Sequence, residues 1–348
     1  MVLRPSICEL KPFAFILTRA KLVELVSLYK NPIPEGAHSG KVQVDERVFL
    51  RYARWAPTTH YVRGTVVLVQ GRSEYIEKYF ETVSDLRRRG FWVATFDWRG
   101  QGRSSRDLSN PNKGHIWDFG QYDTDLKHFM SEVVLPDCPK PYYALGHSMG
   151  AHNLLRNAGM GLCQFERIVL SAPMLRLSRE ITGMPHEVVS VAATLAGWCG
   201  MGESYVLHGS DENLNLRGFS KNKLTRDKER FERNKEILKT APDLSIGSPT
   251  YAWLLAALRS TNMVMQPSFS ANIKISILLI GAGSDRIVSN FATREFAERM
   301  KNGSHVIIPN ARHEILQEVD SVRDQFWAGF DAFIPGEDQA ISSLKRSA

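Results

Sequence analysis

One pentapeptide, Gly146-His147-Ser148-Met149-Gly150, restricts this chain more than any other stretch. It follows the apolar run Tyr142-Tyr143-Ala144-Leu145 and precedes a helix-like segment, 151–158. A G-x-S-x-G sequence between a strand and a helix forms a turn too sharp for bulky residues two positions either side of the serine. Such a turn holds the hydroxyl out above the end of a sheet. It also aims the next amide, that of Met149, at any oxyanion forming there. Taken alone, the pentapeptide also fits a glycine-rich turn with an incidental serine, so the rest of the chain has to supply the serine's partners.

The flanking sequence alternates between strand and helix patterns. Residues 42–55 read as a hairpin turning near Asp45-Glu46. Strand-like runs follow at 65–69, 93–96, 142–145, 168–170, 275–280 and 306–308, with helix-like segments at 76–89 and 119–134. Alternation of this kind predicts an α/β fold with a mostly parallel sheet covered on both faces. It fails between about Met174 and Thr250, which predicts a helical insertion above the carboxyl ends of the strands, where ligands bind. The expected organisation is therefore a first core segment at 1–173, a helical cap or lid at 174–250 and a second core segment at 251–348. Such a cap excludes water and shapes a pocket.

With 43% hydrophobic residues in 348, the chain has ample material for a packed core. The formal net charge of +7 suits an anionic membrane surface or a nucleic acid. The basic residues are dispersed, however. The densest stretch, 221–239, interleaves Arg226, Lys228 and Arg230 with Asp227, Glu229 and Glu232, which reads as a solvated helix face and not as a nucleic-acid patch. The four cysteines Cys8, Cys138, Cys163 and Cys199 are scattered without a C-x-x-C pair, which argues against zinc or a disulfide framework. The N-terminus lacks a signal-peptide pattern and no apolar run is long enough to span a bilayer, so the expected location is the cytosol or the cytoplasmic face of a membrane. Residues 13–30 carry apolar side chains at roughly helical spacing. They fit a helix packed on the protein's own core or one lying on a membrane.

A serine hydroxyl is a weak nucleophile that needs a base, and the base needs orienting. Of ten histidines, His147 and His152 stand too close to Ser148 in sequence to reach round to its hydroxyl, and His305 falls at the start of a strand. His313 lies in a loop just past the strand 306–308, where a base can hang over the strand ends. It also fits a capping or surface histidine. The acid should follow the preceding strand, which singles out Asp285, although a turn aspartate fits that position too. Asp97 competes but ends an earlier strand, against the order serine, acid, histidine. A second oxyanion donor should come from the loop Gln70-Gly71-Arg72-Ser73-Glu74, through the Arg72 amide; an ordinary glycine turn is the other reading.

These residues resemble the α/β-hydrolase superfamily. More narrowly, they are similar to the bacterial lysophospholipase and monoacylglycerol lipase group, also grouped with serine aminopeptidases, and within it to the inner-membrane lysophospholipase (lysolecithinase) type. Further matching stretches are Gly71-Arg72-Ser73-Glu74 with Lys78-Tyr79, Asp97-Trp98-Arg99-Gly100-Gln101-Gly102-Arg103-Ser104, and Gly114-His115 with Phe119 and Tyr122. Ser171-Ala172-Pro173-Met174, Asn222-Lys223-Leu224-Thr225, Pro249-Thr250-Tyr251 with Trp253, and His313-Glu314-Ile315-Leu316 complete the set. Two departures stand out. Gln70 replaces the histidine usual before Gly71 in monoacylglycerol lipases, and Ala151-His152 follows the serine turn where a second glycine is common. His152 is expected to crowd the helix start or face solvent.

The resemblance implies a triad of Ser148, Asp285 and His313, and an oxyanion hole from the amides of Arg72 and Met149. It implies hydrolysis of a lysophospholipid or monoacylglycerol acyl ester through an acyl-enzyme, with no metal or organic cofactor. Met174, Leu175, Met184, Trp198 and Met201 then line an acyl groove or pack the lid's own core. A small-ester esterase or a proline-type aminopeptidase of the same fold is the alternative. A non-catalytic binding protein is a third reading, disfavoured because all three triad residue types occur in order.

Overall fold

The computed structural model describes residues 24–184 and 186–335. Eight strands form one sheet in the order β1-β2-β4-β3-β5-β6-β7-β8. They are β1 (His38–Gln43), β2 (Phe49–Trp55), β3 (Thr65–Val69), β4 (Trp92–Phe96), β5 (Tyr142–His147), β6 (Arg167–Ser171), β7 (Ser276–Ala282) and β8 (Gly303–Ile308). The first two form the expected hairpin, and its turn is fixed by Asp45, whose Oδ1 accepts the amides of Arg47 and Val48. β4 pairs antiparallel with β2, and every pairing among β3 to β8 is parallel. All residues of β3 and β5 are buried, as expected of strands covered on both faces.

The longer helices are α1 (Phe80–Arg88), α2 (Gly120–Phe129), α3 (Ser148–Gly159), α4 (His186–Trp198), α5 (Lys228–Thr240), α6 (Tyr251–Val264), α7 (Asn290–Arg299) and α8 (Asp320–Phe333). Strand order settles which face each covers. The step from β3 to β4 runs toward the β1 edge, whereas β4 to β5 and β5 to β6 run the other way. Right-handed crossovers therefore put α1 opposite α2 and α3. The ion pairs agree. Asp85 of α1 meets Arg323 of α8, and Asp123 of α2 meets Arg156 of α3.

Between β6 and β7 the chain adds no strand to the sheet among the described residues. Helix α6 buries Trp253, Ala256, Ala257 and Val264 in the main core and Leu258 against Val189 and Ala193 of α4. Two arginines of α5 face carboxylates, Arg230 on Glu81, Asp227 and Asp320 and Arg233 on Glu81.

Three expectations need correction. Residues 13–23 lie outside the described residues, and 24–30 form no helix. Tertiary bonds override the helical spacing there: the Val26 amide donates to Glu77 Oε1, and Leu28 pairs with Asn31. His152 neither faces solvent nor disturbs the helix start. It is buried, with Nε2 2.7 Å from Ser260 Oγ of α6, so the larger side chain ties α3 to α6. Met174 and Leu175 belong to the main core, while Met184, Trp198 and Met201 are exposed, so these five residues share no single lining or lid core.

Candidate active site

Ser148 opens α3 directly after β5 with φ +50°, the left-handed backbone a sharp strand-to-helix turn requires. The flanking glycines have no substitutes. A Cβ on Gly146 would lie 2.7 Å from Leu154 Cδ1, and one on Gly150 would lie 2.5 Å from the Gln70 carbonyl oxygen. Small residues there let the serine turn press against the loop after β3. That loop is equally close on its own side, since a Cβ on Gly71 would sit 3.2 Å from Ser148 Cβ.

His313 and Asp285 come to the same place from the loops after β8 and β7. His313 Nε2 lies 2.9 Å from Ser148 Oγ, and its Nδ1 lies 2.7 Å from Asp285 Oδ2. The other carboxylate oxygen, Oδ1, accepts the amides of Ile287 and Val288 at 2.7 and 3.1 Å, which fixes its orientation. Burial pushes the Asp285 carboxyl up, but the imidazole of His313 and these two amides outweigh it and hold the group below its usual range. Burial likewise pulls the His313 imidazole down, and Asp285 more than reverses this. A hydrogen-bonded acid, base and hydroxyl in this order can take a proton from the serine and return it to a leaving group. Asp97 stands elsewhere. It accepts Arg51 Nε and the amides of Ile76 and Arg103, holding the loop after β4.

The amides of Arg72 and Met149 have no acceptor among the described residues. The Gly71 amide, by contrast, is spent on Glu74 Oε2 at 2.5 Å. Glu74 belongs to a buried cluster that sequence reasoning did not assign. Lys78 Nζ donates to Glu74 Oε1 at 2.8 Å and to Glu314 Oε1 at 2.6 Å, and the Tyr79 hydroxyl donates to Glu74. Burial raises the Glu74 carboxyl, but Lys78 and His147 outweigh it and hold it down to about 2. Glu314 is raised by burial and by the Glu74 charge, more than Lys78 lowers it. His147, packed beside His313, is pulled by burial to about 4 and is neutral at pH 7. A charged pair four apart, Glu74 and Lys78, beside apolar neighbours was the available signal.

The Asn-x-Leu-Thr stretch grips the base loop from above. Asn222 Oδ1 accepts the Leu224 amide and its Nδ2 donates to the Thr225 carbonyl, closing a tight turn. That turn offers the Leu224 carbonyl to the Glu314 amide at 2.9 Å, and the Thr225 hydroxyl donates to the Gln317 carbonyl at 2.7 Å.

Comparisons with known proteins agree with this geometry. Lysophospholipase L2 of Escherichia coli is 30% identical over 287 residues, 79% of this chain and 80% of that protein. Probable lysophospholipase L2 of Haemophilus influenzae is 29% identical over 87% of this chain and 92% of its own length. A soluble variant of monoglyceride lipase from Saccharomyces cerevisiae, solved with a substrate analog, superposes with a TM-score of 0.67 at 18% identity, covering 86% of this chain and 95% of that one, and shares the α/β-hydrolase fold. The family model described as serine aminopeptidase, S33, matches residues 60–320. A serine turn, its base and a family match spanning the whole sheet from β3 to the loop beyond β8 make the chain a serine hydrolase of the α/β-hydrolase fold that belongs to the serine aminopeptidase S33 family.

Proposed function

We propose that this protein hydrolyses the acyl ester of single-chain glycerolipids, lysophospholipids or monoacylglycerols, through an acyl-enzyme on Ser148. The observation that carries the reading is the unbroken hydrogen-bond chain from Asp285 through His313 to Ser148. In the reaction, His313 takes the Ser148 proton as Oγ attacks the ester carbon. The amides of Arg72 and Met149 receive the developing oxyanion. His313, now charged and steadied by Asp285, protonates the departing alcohol. Water activated by the same imidazole then releases the fatty acid. The lysophospholipase names of the bacterial relatives support the lipid class.

The helical stretch 174–250 is the cap of this site. One face of α4 supports an encounter with lipid: Val188, Val191, Leu195 and Trp198 are exposed at spacings of three, four and three, with Trp198 82% exposed. With the net charge of +7, this face suits the surface of an anionic lipid aggregate at the cytoplasmic side of a membrane. No helix among the described residues is long and apolar enough to cross a membrane.

The deciding experiment measures fatty-acid release from 1-palmitoyl lysophosphatidylcholine beside a short-chain ester, for wild type and Ser148→Ala. Lysolipid cleavage that vanishes in the variant is expected. Short-ester turnover without lipid cleavage moves the substrate to small esters, and activity surviving Ser148→Ala overturns the nucleophile.

A further inference from the structure

The loop that supplies the Arg72 amide also carries the Arg72 guanidinium, and that group is out of balance with its surroundings. The most deeply buried arginines here each face a carboxylate: Arg51 on Glu77 and Asp97, Arg99 on Asp125, Arg156 on Asp123 and Arg323 on Asp85. Arg106, which lacks one, spends its guanidinium on the carbonyls of Gly102, Pro111, Asp243 and Ser245. Arg72 has no carboxylate and a single backbone carbonyl. Its Nη1 donates to Ser73 Oγ and its Nη2 to the Gly247 carbonyl, while its buried Nε has no acceptor. No carboxylate lies within ion-pair distance of it among the described residues. Burial pulls the group down to about 10.

The fold nevertheless makes room for this cation. The guanidinium lies against the backbone of Gly114, where a Cβ would come within 2.2 Å of Nη2, and it stacks 5.2 Å from the Trp253 ring centroid. Nearby, Tyr205 feels the Arg72 charge and gives its hydroxyl to Asp211, so that acid is already engaged. A guanidinium without a carboxylate partner, one residue from the backbone that abuts Ser148, is chemically suited to an anionic group of the substrate.

We propose that Arg72 binds the phosphodiester of a lysophospholipid head group on the alcohol side of the scissile ester, and so selects phosphorylated over neutral single-chain glycerolipids. The inference rests on the ester-hydrolase reading above. A planar fork of N–H donors fits two phosphate oxygens at once, which an ammonium does not.

The test compares kcat/KM for 1-palmitoyl lysophosphatidylcholine and 1-palmitoylglycerol in the same detergent micelles, for wild type, Arg72→Gln and Arg72→Lys. The ratio favouring the phospholipid is expected to fall about 10- to 100-fold in Arg72→Gln, the loss of charge-assisted hydrogen bonds, and less in Arg72→Lys. Equal loss on both substrates would make Arg72 a clamp on the 247–250 segment and overturn the proposal. A second measurement needs no variant and no lipid turnover. sn-Glycero-3-phosphocholine should inhibit short-ester hydrolysis by wild type competitively where glycerol does not, and the absence of inhibition overturns the proposal. Palmitate inhibition that weakens in Arg72→Gln while glycerophosphocholine inhibition persists would assign the side chain to the released carboxylate, also overturning it. Wild type that cleaves the short ester but neither lipid defeats the lipid-hydrolase reading, while glycerophosphocholine inhibition still reports on Arg72.

Discussion

Lys78 reaches Glu314 across 236 positions of sequence, Nζ to Oε1 at 2.6 Å, and the same ammonium holds Glu74 at 2.8 Å. Glu74 pins the loop that carries the Arg72 amide, and Glu314 follows His313 directly. One cation thus bridges the loop of Arg72 and the loop of His313 beside Ser148. Removing it leaves two carboxylates facing each other out of water. Lys78→Met is expected to cost about 3–5 kcal/mol in urea unfolding, with a fall in kcat larger than any change in KM. Adding Glu314→Gln should recover part of the stability. A variant as stable as wild type would show that the cluster carries little strain when opened.

The acid limb of kcat/KM against pH is expected to report His313, the proposed base. The base works only when unprotonated, and Asp285 raises the imidazole above its ordinary 6.5, so the inflection is expected above that value. His147, at about 4, titrates too low to be the source. In Asp285→Asn the burial remains and the largest raising charge is gone, although Glu314 and Glu74 stay, so the inflection should move down while kcat falls about 10⁴-fold. An unmoved inflection would assign the limb to another group.

Gly150→Ala tests the fit of the serine turn against the β3 loop. The added methyl meets the carbonyl oxygens of Gln70 and Val69 at 2.5 and 2.6 Å, both of them backbone and unable to step aside. The loop must shift, taking the Arg72 amide with it. A fall in turnover of about 10²- to 10³-fold, comparable to losing one oxyanion donor, is expected in protein that still folds by circular dichroism.

Asn222→Ala unties the turn that offers the Leu224 carbonyl to the base loop. Three side-chain hydrogen bonds disappear, at about 1 kcal/mol each. His313 should then be less well held, which reads as lower kcat with little change in KM. Hydrogen exchange at the Glu314 amide should quicken. Unchanged exchange there would mean that the lid turn does not support the base.

The proposed encounter with lipid assigns the α4 stripe the sorting of soluble from aggregated substrate. Val191→Glu with Leu195→Glu places two charges on the exposed apolar face without touching Val189 or Ala193 beneath it. The ratio of micellar-lipid to short-ester turnover should fall several-fold, and vesicle flotation should weaken. An unaltered ratio would remove this face from the encounter with lipid.

The strands and their order of appearance were legible because β3, β5, β6 and β7 are continuous apolar runs, and the meeting of Ser148, Asp285 and His313 at one place was legible because each follows one strand. Residues 24–30 misled because helical spacing describes only local preference, while Val26 is bonded to a glutamate 51 residues away. Glu74, Lys78 and Glu314 were invisible as a cluster because charge in sequence reads as surface until topology brings the partners together. His152 was misjudged for the same reason, its partner Ser260 lying 108 residues on.

The serine turn sits on β5 and its base beyond β8, 165 residues later. A ribosome therefore delivers the nucleophile long before the group that activates it. Only when the last strand docks along β7 does the hydrogen-bond chain from Asp285 through His313 to Ser148 close, so a product truncated before β8 keeps the serine turn but lacks His313.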